Sequence, residues 1–140
     1  HTSALPNPRI YIPADAAYHV ETAQRKLPAD VNAMALMAHM HVRGKAFKFE
    51  AVFPDGKTET LLDIPRYDFN WQLRYDYAKP RFIPRGTTIK VTAVYDNSTA
   101  NPANPDPTKD IRWGQQTFDE MMIGYLEHYT PLNPEVAGGE

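Results

Sequence analysis

The stretch Asp-Phe-Asn-Trp-Gln-Leu-Arg-Tyr-Asp-Tyr, residues 68–77, alternates without a break between polar and apolar side chains. Polar residues occupy every even position, and aromatic residues or leucine occupy every odd position. Successive side chains of a β-strand point to opposite faces of a sheet, so this period of two predicts a strand with one buried and one solvated face. We therefore predict a β-strand over residues 68–77, with antiparallel neighbours on either side.

Comparable patterns continue in both directions from this stretch. Further strands are predicted at residues 9–12, 19–25, 33–43, 47–53, 58–62, 87–95 and 121–129. In residues 33–43 the apolar face is predicted at Met34, Leu36, Ala38, Met40 and Val42, and the opposite face carries the histidines and Arg43. Thirteen prolines separate the strands, and no segment has a convincing amphipathic helical pattern. Seven or eight strands with frequent turns predict an all-β fold, an antiparallel β-sandwich or barrel.

The composition is that of one ordinary globular domain. The chain has 140 residues, 42% of them hydrophobic, and a formal net charge of −2. This charge gives no reason to expect a nucleic-acid partner, and no apolar run approaches the roughly 20 residues of a membrane span. The absence of cysteine excludes disulfides and Cys-based zinc sites.

The domain boundaries are predicted from composition. We expect a single domain over residues 1–130 and a flexible C-terminal tail over residues 131–140, which contain two prolines and two glycines. The abrupt start at His1 is expected for a processed terminus, a tag remnant or a cut from a longer protein.

The first candidate site is the segment His39-Met40-His41. Residues i and i+2 of a strand share a face, so both imidazoles can reach one ion. Imidazole is a suitable ligand for copper, zinc, nickel or iron. By itself the pair is also compatible with two exposed or hydrogen-bonded histidines.

A second candidate is the pair Met121-Met122. Methionine is usually core filler, but a thioether is a soft ligand that favours Cu(I). Periodicity places only one of the two on the face of Tyr125 and does not say which face is the core.

Other polar clusters are weaker candidates. His19 and His128 stand alone, and the adjacent acids Asp119 and Glu120 are expected in water at a strand start. The long polar loop at residues 97–110 offers Asn101, Asn104, Asp106 and Asp110 as oxygen ligands for calcium, without a fixed ligand spacing. Ser-His-Asp order, glycine-rich phosphate loops and HExxH motifs are absent.

Two motifs together resemble a known family. Residues 38–45, Ala-His-Met-His-Val-Arg-Gly-Lys, are similar to the His-X-His segment, closed by Gly-Lys, of the copper type II ascorbate-dependent monooxygenases. Residues 118–125, Phe-Asp-Glu-Met-Met-Ile-Gly-Tyr, resemble their Asp-Glu-Met motif, which a tyrosine follows four residues later. The likeness spans roughly residues 8–129 and is closer still to bacterial members of unassigned function.

The resemblance implies a fold and a site. The expected fold is the second, jelly-roll-like sandwich domain of these enzymes, which holds the copper where oxygen binds and substrate C–H bonds are hydroxylated. The implied copper ligands are His39, His41 and Met121, and Tyr125 matches the tyrosine that helps to hold the substrate. The electron donor would be ascorbate or another reductant, and the domain would follow another one in a longer chain. The family further implies a periplasmic or extracellular, secreted protein with a small-molecule substrate.

Two departures bear on the reaction. Peptide-amidating members bind the substrate carboxylate with an arginine and an asparagine, and the matching residues here are Met37 and Ile123. A glycine-extended peptide is therefore not the expected substrate. The alternative functions are a non-catalytic copper-binding module and a purely structural interaction domain of a larger secreted protein.

Overall fold

The computed structural model describes residues 1–131, and this part of the chain consists of β-strands and loops without a helix. Its strands are β1 (Thr2–Pro6), β2 (Tyr11–Ile12), β3 (His19–Lys26), β4 (Val31–His39), β5 (Gly44–Val52), β6 (Thr58–Ile64), β7 (Arg74–Ile83), β8 (Thr88–Tyr95), β9 (Ile111–Arg112) and β10 (Ile123–Tyr129). Over the same residues nothing has the helical length and apolarity needed to cross a membrane. The predicted tail lies, except for Pro131, outside the described residues.

The strands form two antiparallel four-stranded sheets. The front sheet has the order β1-β10-β4-β7, and the back sheet has the order β3-β8-β5-β6. The chain crosses repeatedly between the sheets, which gives the strand arrangement of a jelly roll. A third, two-stranded sheet pairs β2 with β9. The predicted all-β, jelly-roll-like sandwich is confirmed.

The core lies between the inner faces of the two sheets. Phe47 and Phe49 of β5 are buried with their ring centroids 5.2 Å apart, and Leu126 of β10 is buried in the same cluster. Gly124 lets β10 approach these rings, because an added Cβ would lie 2.8 Å from Val91 Cγ1 and 3.0 Å from Phe49 Cε1. Close packing of this kind fixes the position of β10, and therefore of the residues that precede it.

The prediction of a strand over residues 68–77 is wrong for its first half, because β7 begins only at Arg74. The Asp68 carboxylate accepts a hydrogen bond from the Asn70 amide at 2.8 Å, and the Asp68 carbonyl accepts one from the Trp71 amide at 3.0 Å. These bonds form an Asx turn, which competes with ladder pairing. The alternation in residues 68–73 therefore belongs to a loop.

A β-bulge interrupts β4 at Met34. The register with β10 moves from His128 opposite Ala33 to Glu127 opposite Ala35, so Met34 has no partner on that strand. An extra residue in one strand reverses the alternation that follows it. Met34 is 38% exposed, against the prediction, whereas Leu36, Ala38 and Met40 are buried as predicted.

The chain ends also differ from the sequence prediction. Thr2–Pro6 forms β1 at the edge of the front sheet, where a proline can sit because its missing N–H is not needed for pairing. The last strand, predicted from residue 121, begins at Ile123. Met121 and Met122 therefore lie in the segment that leads into β10.

Candidate metal centre

His39 and His41 lie at the end of β4 and in the turn that follows it. His39 is the last residue of the strand, and His41 has already left it. The two imidazoles nevertheless converge, with ring centroids 5.2 Å apart and planes at 80°. Metal–nitrogen bonds of about 2 Å put the centroids of two imidazoles on one ion at roughly this separation. The distance between the rings therefore fits a shared ion.

Both rings direct Nδ1 at a carbonyl oxygen. His39 Nδ1 lies 2.8 Å from the amide oxygen of Gln72, and His41 Nδ1 lies 3.2 Å from the Asp119 carbonyl oxygen. A carbonyl oxygen only accepts hydrogen bonds, so each Nδ1 must carry the proton. Each Nε2 is then left with the lone pair that a metal requires.

His41 is more deeply buried than His39. His41 is 4% exposed, and this loss of hydration lowers the pKa of its imidazole. A lowered pKa keeps the ring neutral at neutral pH, which is the protonation state of a metal ligand. The Phe69 ring adds an edge-on contact to His41 at 5.9 Å between centroids.

Met121 lies between two residues that contact the histidine segment. Glu120, before it, accepts a hydrogen bond from the His41 amide at 2.7 Å. Ile123, after it, pairs directly with His39 across β10 and β4. The Met121 carbonyl accepts a hydrogen bond from the Tyr95 hydroxyl at 2.6 Å, which anchors the backbone there.

The neighbouring Met122 has a different environment. Its side chain is 0% exposed and belongs to the hydrophobic core, whereas Met121 is partly exposed and stands outside that cluster. Among residues 1–131 no group of three or more His, Cys, Asp and Glu side chains is placed to hold an ion. The candidate set consists instead of two imidazoles and the Met121 thioether.

The prediction that Glu120 lies in water is wrong, because its side chain is 0% exposed. Its two carboxylate oxygens accept hydrogen bonds from the backbone amides of His41 and Arg43, at 2.7 and 2.9 Å. Burial raises the pKa of Glu120 to about 7, although the backbone hydrogen bonds act in the opposite direction. Glu120 therefore joins the segment before Met121 to the turn that carries His41.

Arg43 is buried as well, although the sequence placed it on the face opposite the apolar one. It is 1% exposed, and its side chain donates to Asn97 at 3.1 Å and to the Phe118 carbonyl at 2.9 Å. Its guanidinium lies 3.9 Å from the Glu120 carboxylate, so the buried charges face each other. The adjacent Asp-Glu pair was visible in the sequence, but nothing in it indicated a buried arginine opposite.

Tyr67 holds the peptide between the two histidines. Its hydroxyl donates to the Met40 carbonyl at 2.7 Å and accepts from the Met40 amide at 3.1 Å. Gly44 makes this approach possible, since an added Cβ would lie 2.8 Å from both Met40 Cβ and Tyr67 Cδ1. A side chain at this position, which closes the His-X-His segment, would therefore collide with Met40 and Tyr67.

Tyr125 lies on the outer face of the front sheet, opposite Met37. Both line a cavity of about 250 Å³ together with Thr2, Ala35, Leu36, Arg74 and Glu127. Arg74 forms ion pairs with Asp76 and Glu127, so its charge is already compensated. The pair Met37 and Tyr125 lies two positions along the strands from the pair His39 and Ile123.

The remaining candidates have partners of their own. His19 contacts Glu21 at 2.9 Å, and His128 contacts Ser3 at 2.8 Å. In the loop at residues 97–110, Asp106 accepts hydrogen bonds from Thr108, and Asp110 accepts them from Tyr11 and Ala14. These bonds use both carboxylate oxygens of Asp110 and one of the two of Asp106, which argues against the calcium alternative.

Comparison with known proteins identifies one family and a distant structural likeness. The family model described as copper type II ascorbate-dependent monooxygenase, C-terminal domain, matches residues 3–138. The structure of infectious bursal disease virus Gt strain is similar at 11% identity and a TM-score of 0.32, covering 100% of this chain and 44% of that one. The Gx strain gives 11% identity and a TM-score of 0.31, covering 98% of this chain and 42% of that one. This chain thus spans less than half of the viral chains, and these scores support no inference about function.

Proposed function

This chain belongs to the copper type II ascorbate-dependent monooxygenase family, as a C-terminal domain, and we propose that it holds one copper ion through His39, His41 and Met121. The observation that carries the proposal is the convergence of two imidazoles whose Nδ1 atoms both face carbonyl oxygens. This arrangement leaves the lone pair of each neutral ring on Nε2, the nitrogen that would bind the metal.

The thioether decides between metals. Imidazoles alone accept several borderline ions, whereas a methionine ligand favours Cu(I) and adds little for zinc. Met121 is the methionine that lies outside the core cluster. Glu120 before it and Ile123, two residues after it, both contact the histidine segment. A copper site is therefore the arrangement that these donors fit.

The proposed reaction is the hydroxylation of a substrate C–H bond. When bound, copper would supply the oxygen activation, with electrons from ascorbate or another donor. The residues of this chain would orient the ligands and place the substrate. Tyr125 is proposed to contact the substrate, because it lines the cavity beside His39.

The cavity indicates which substrates to test. Met37 and Ile123 carry no charge, and the guanidinium of Arg74 is occupied by two carboxylates. Binding a substrate carboxylate here would require breaking those pairs, so we propose an uncharged, largely apolar small molecule. A location outside the cytoplasm and a preceding domain are part of the same proposal and rest on family membership alone.

The ligand assignment can be tested with conservative variants. We expect Met121→Leu to lose the copper–sulfur signal in X-ray absorption and to weaken Cu(I) binding at least about tenfold, or ~1.4 kcal/mol. His39→Ala should lower the affinity further. Met34→Leu is the matched control, because Met34 is a partly exposed methionine on the same strand as His39. Retention of both the sulfur signal and the affinity in Met121→Leu would disprove the assignment.

Oxygen uptake separates the enzyme from a binding module. With ascorbate present, the copper-loaded protein should consume oxygen and form a hydroxylated product from an apolar substrate. Stable copper binding without any uptake, under conditions where the full-length protein is also inactive, would favour the non-catalytic alternative.

A further inference from the structure

We propose that Gln72 is a positioning residue that fixes the proton of His39 on Nδ1 and so presents Nε2 to the metal. The metal part of this inference rests on the proposed function. The tautomer part concerns the protein without metal and can be tested independently.

The orientation of the Gln72 amide follows from its second contact. Its Nε2 donates to the Phe69 carbonyl at 3.0 Å, while its Oε1 lies 2.8 Å from His39 Nδ1. If the amide were flipped, two carbonyl oxygens would face each other, which is unfavourable. The oxygen of Gln72 is therefore directed at His39, and His39 Nδ1 must be the donor.

Hydrogen bonds also hold the loop that carries Gln72. The Asx turn at Asp68 closes it at one end, and Tyr67 is fixed to Met40 by two hydrogen bonds. Gln72 is partly buried, whereas the neighbouring Trp71 is 71% exposed. A glutamine whose amide nitrogen is held by the Phe69 carbonyl offers its oxygen in one place.

His39 needs such a partner more than His41 does. A neutral imidazole can carry its proton on either nitrogen, and a hydrogen bond to one of them selects the tautomer. His41 is buried and faces a main-chain carbonyl, whereas His39 is partly exposed and faces only a side chain. Without Gln72, water would compete for both nitrogens of His39.

The direct test is the tautomer of His39 in the metal-free protein, read from imidazole ¹⁵N NMR at pH 8. The wild type should show Nδ1–H and an unprotonated Nε2. Gln72→Leu should shift His39 towards a mixture of both tautomers. Gln72→Glu keeps an acceptor and should restore the Nδ1–H form, although it loses the bond to Phe69. An unchanged tautomer in Gln72→Leu would overturn the proposal.

Copper binding provides the second readout. Loss of an outer partner of a ligating histidine typically weakens metal affinity by about 10- to 100-fold, and we expect this range for Gln72→Leu with Cu(I). The control is Asn70→Ala, an exposed side chain in the same loop, which should leave affinity and tautomer unchanged. A shifted tautomer with unaltered affinity would overturn the metal-positioning role. A shifted tautomer in a protein whose wild type binds no copper would instead disprove the proposed function.

Discussion

The hydroxyl group of Tyr67 satisfies both backbone groups of Met40, the residue between the two proposed ligands. Met40 follows the last residue of β4, so its amide and carbonyl have left the strand pairing. Buried backbone groups without partners are costly, and Tyr67 supplies one donor and one acceptor. Burial raises the pKa of Tyr67 to about 12, so the hydroxyl keeps its proton at neutral pH.

We predict that Tyr67→Phe lowers the free energy of unfolding by about 1–3 kcal/mol, because two backbone groups lose their partner. Tyr77→Phe is the matched control, since the buried Tyr77 hydroxyl has no hydrogen-bond partner among residues 1–131. Its removal should not lower the free energy of unfolding, because no hydrogen bond is lost. Urea denaturation of both variants measures the difference. Equal effects of the two substitutions would contradict the assigned role of Tyr67.

The sequence predicted that the imidazoles of His39 and His41 lie close together, but it did not predict which residues hold them. An i, i+2 spacing on a strand is local, and so is the adjacent Asp-Glu-Met motif. Gln72 is 33 residues from His39, and Glu120 is 79 residues from the His41 amide it binds. Contacts at such separations follow from the strand order of the whole sandwich, which periodicity does not specify.

Strands were predicted correctly where one face is buried against the other sheet. β8 and β5 show this clearly, with alternate side chains in the core. The pattern misled at residues 68–73, where Asx-turn bonds replace pairing, and at β1, where two nearby prolines concealed an edge strand. Local turn chemistry and edge position therefore account for the errors.

The contact between β1 and β10 includes a titratable group, His128. Its Nε2 lies 2.8 Å from the Ser3 hydroxyl, while its Nδ1 is buried without a partner among residues 1–131. Burial lowers the pKa of His128 below its ordinary value of about 6.5. The folded protein thus binds this proton less readily than the unfolded chain does.

We predict that the metal-free protein loses the stability contributed by His128 as the pH falls below about 6.5, because protonation of this imidazole is favoured in the unfolded state. This contribution is fully present above that pH and is lost on acidification. In His128→Gln the free energy of unfolding at about pH 5 minus that at about pH 7.5, measured by thermal unfolding, should therefore be more positive than in the wild type. The contribution of the buried His41, whose pKa is lowered, and the opposite contribution of Glu120, whose pKa is raised to about 7, remain in both proteins. An identical difference in the variant and the wild type would contradict this role of His128.

Across the whole molecule, the long loop at residues 97–110 connects distant segments to the candidate centre. Asn97 is 0% exposed, and its side-chain nitrogen donates to the carbonyls of Pro13 and Lys109. Its oxygen accepts from Arg43 and from Asn104. The sequence offered this loop as a source of oxygen ligands for calcium, whereas in the structure the loop helps to bury Arg43 beside Glu120.

We predict that Asn97→Ala destabilises the fold by about 2–4 kcal/mol, since four hydrogen bonds disappear and Arg43 loses one partner. Hydrogen exchange should accelerate at the amides of His41 and Arg43, which Glu120 holds. Chemical denaturation measures the first effect, and exchange mass spectrometry measures the second. A variant with wild-type stability and unchanged exchange would show that the loop is not coupled to the centre.

The bulge at Met34 has a consequence for aligning this domain with its relatives. Before the bulge the inward residues of β4 have odd numbers, and after it they have even numbers, because the extra residue shifts the alternation by one position. A relative without the bulge would have one residue fewer and would still direct the residue aligned with His39 outward. A single gap in an alignment over this strand should therefore fall at Met34, and a single gap between Leu36 and His39 would indicate a misplaced column.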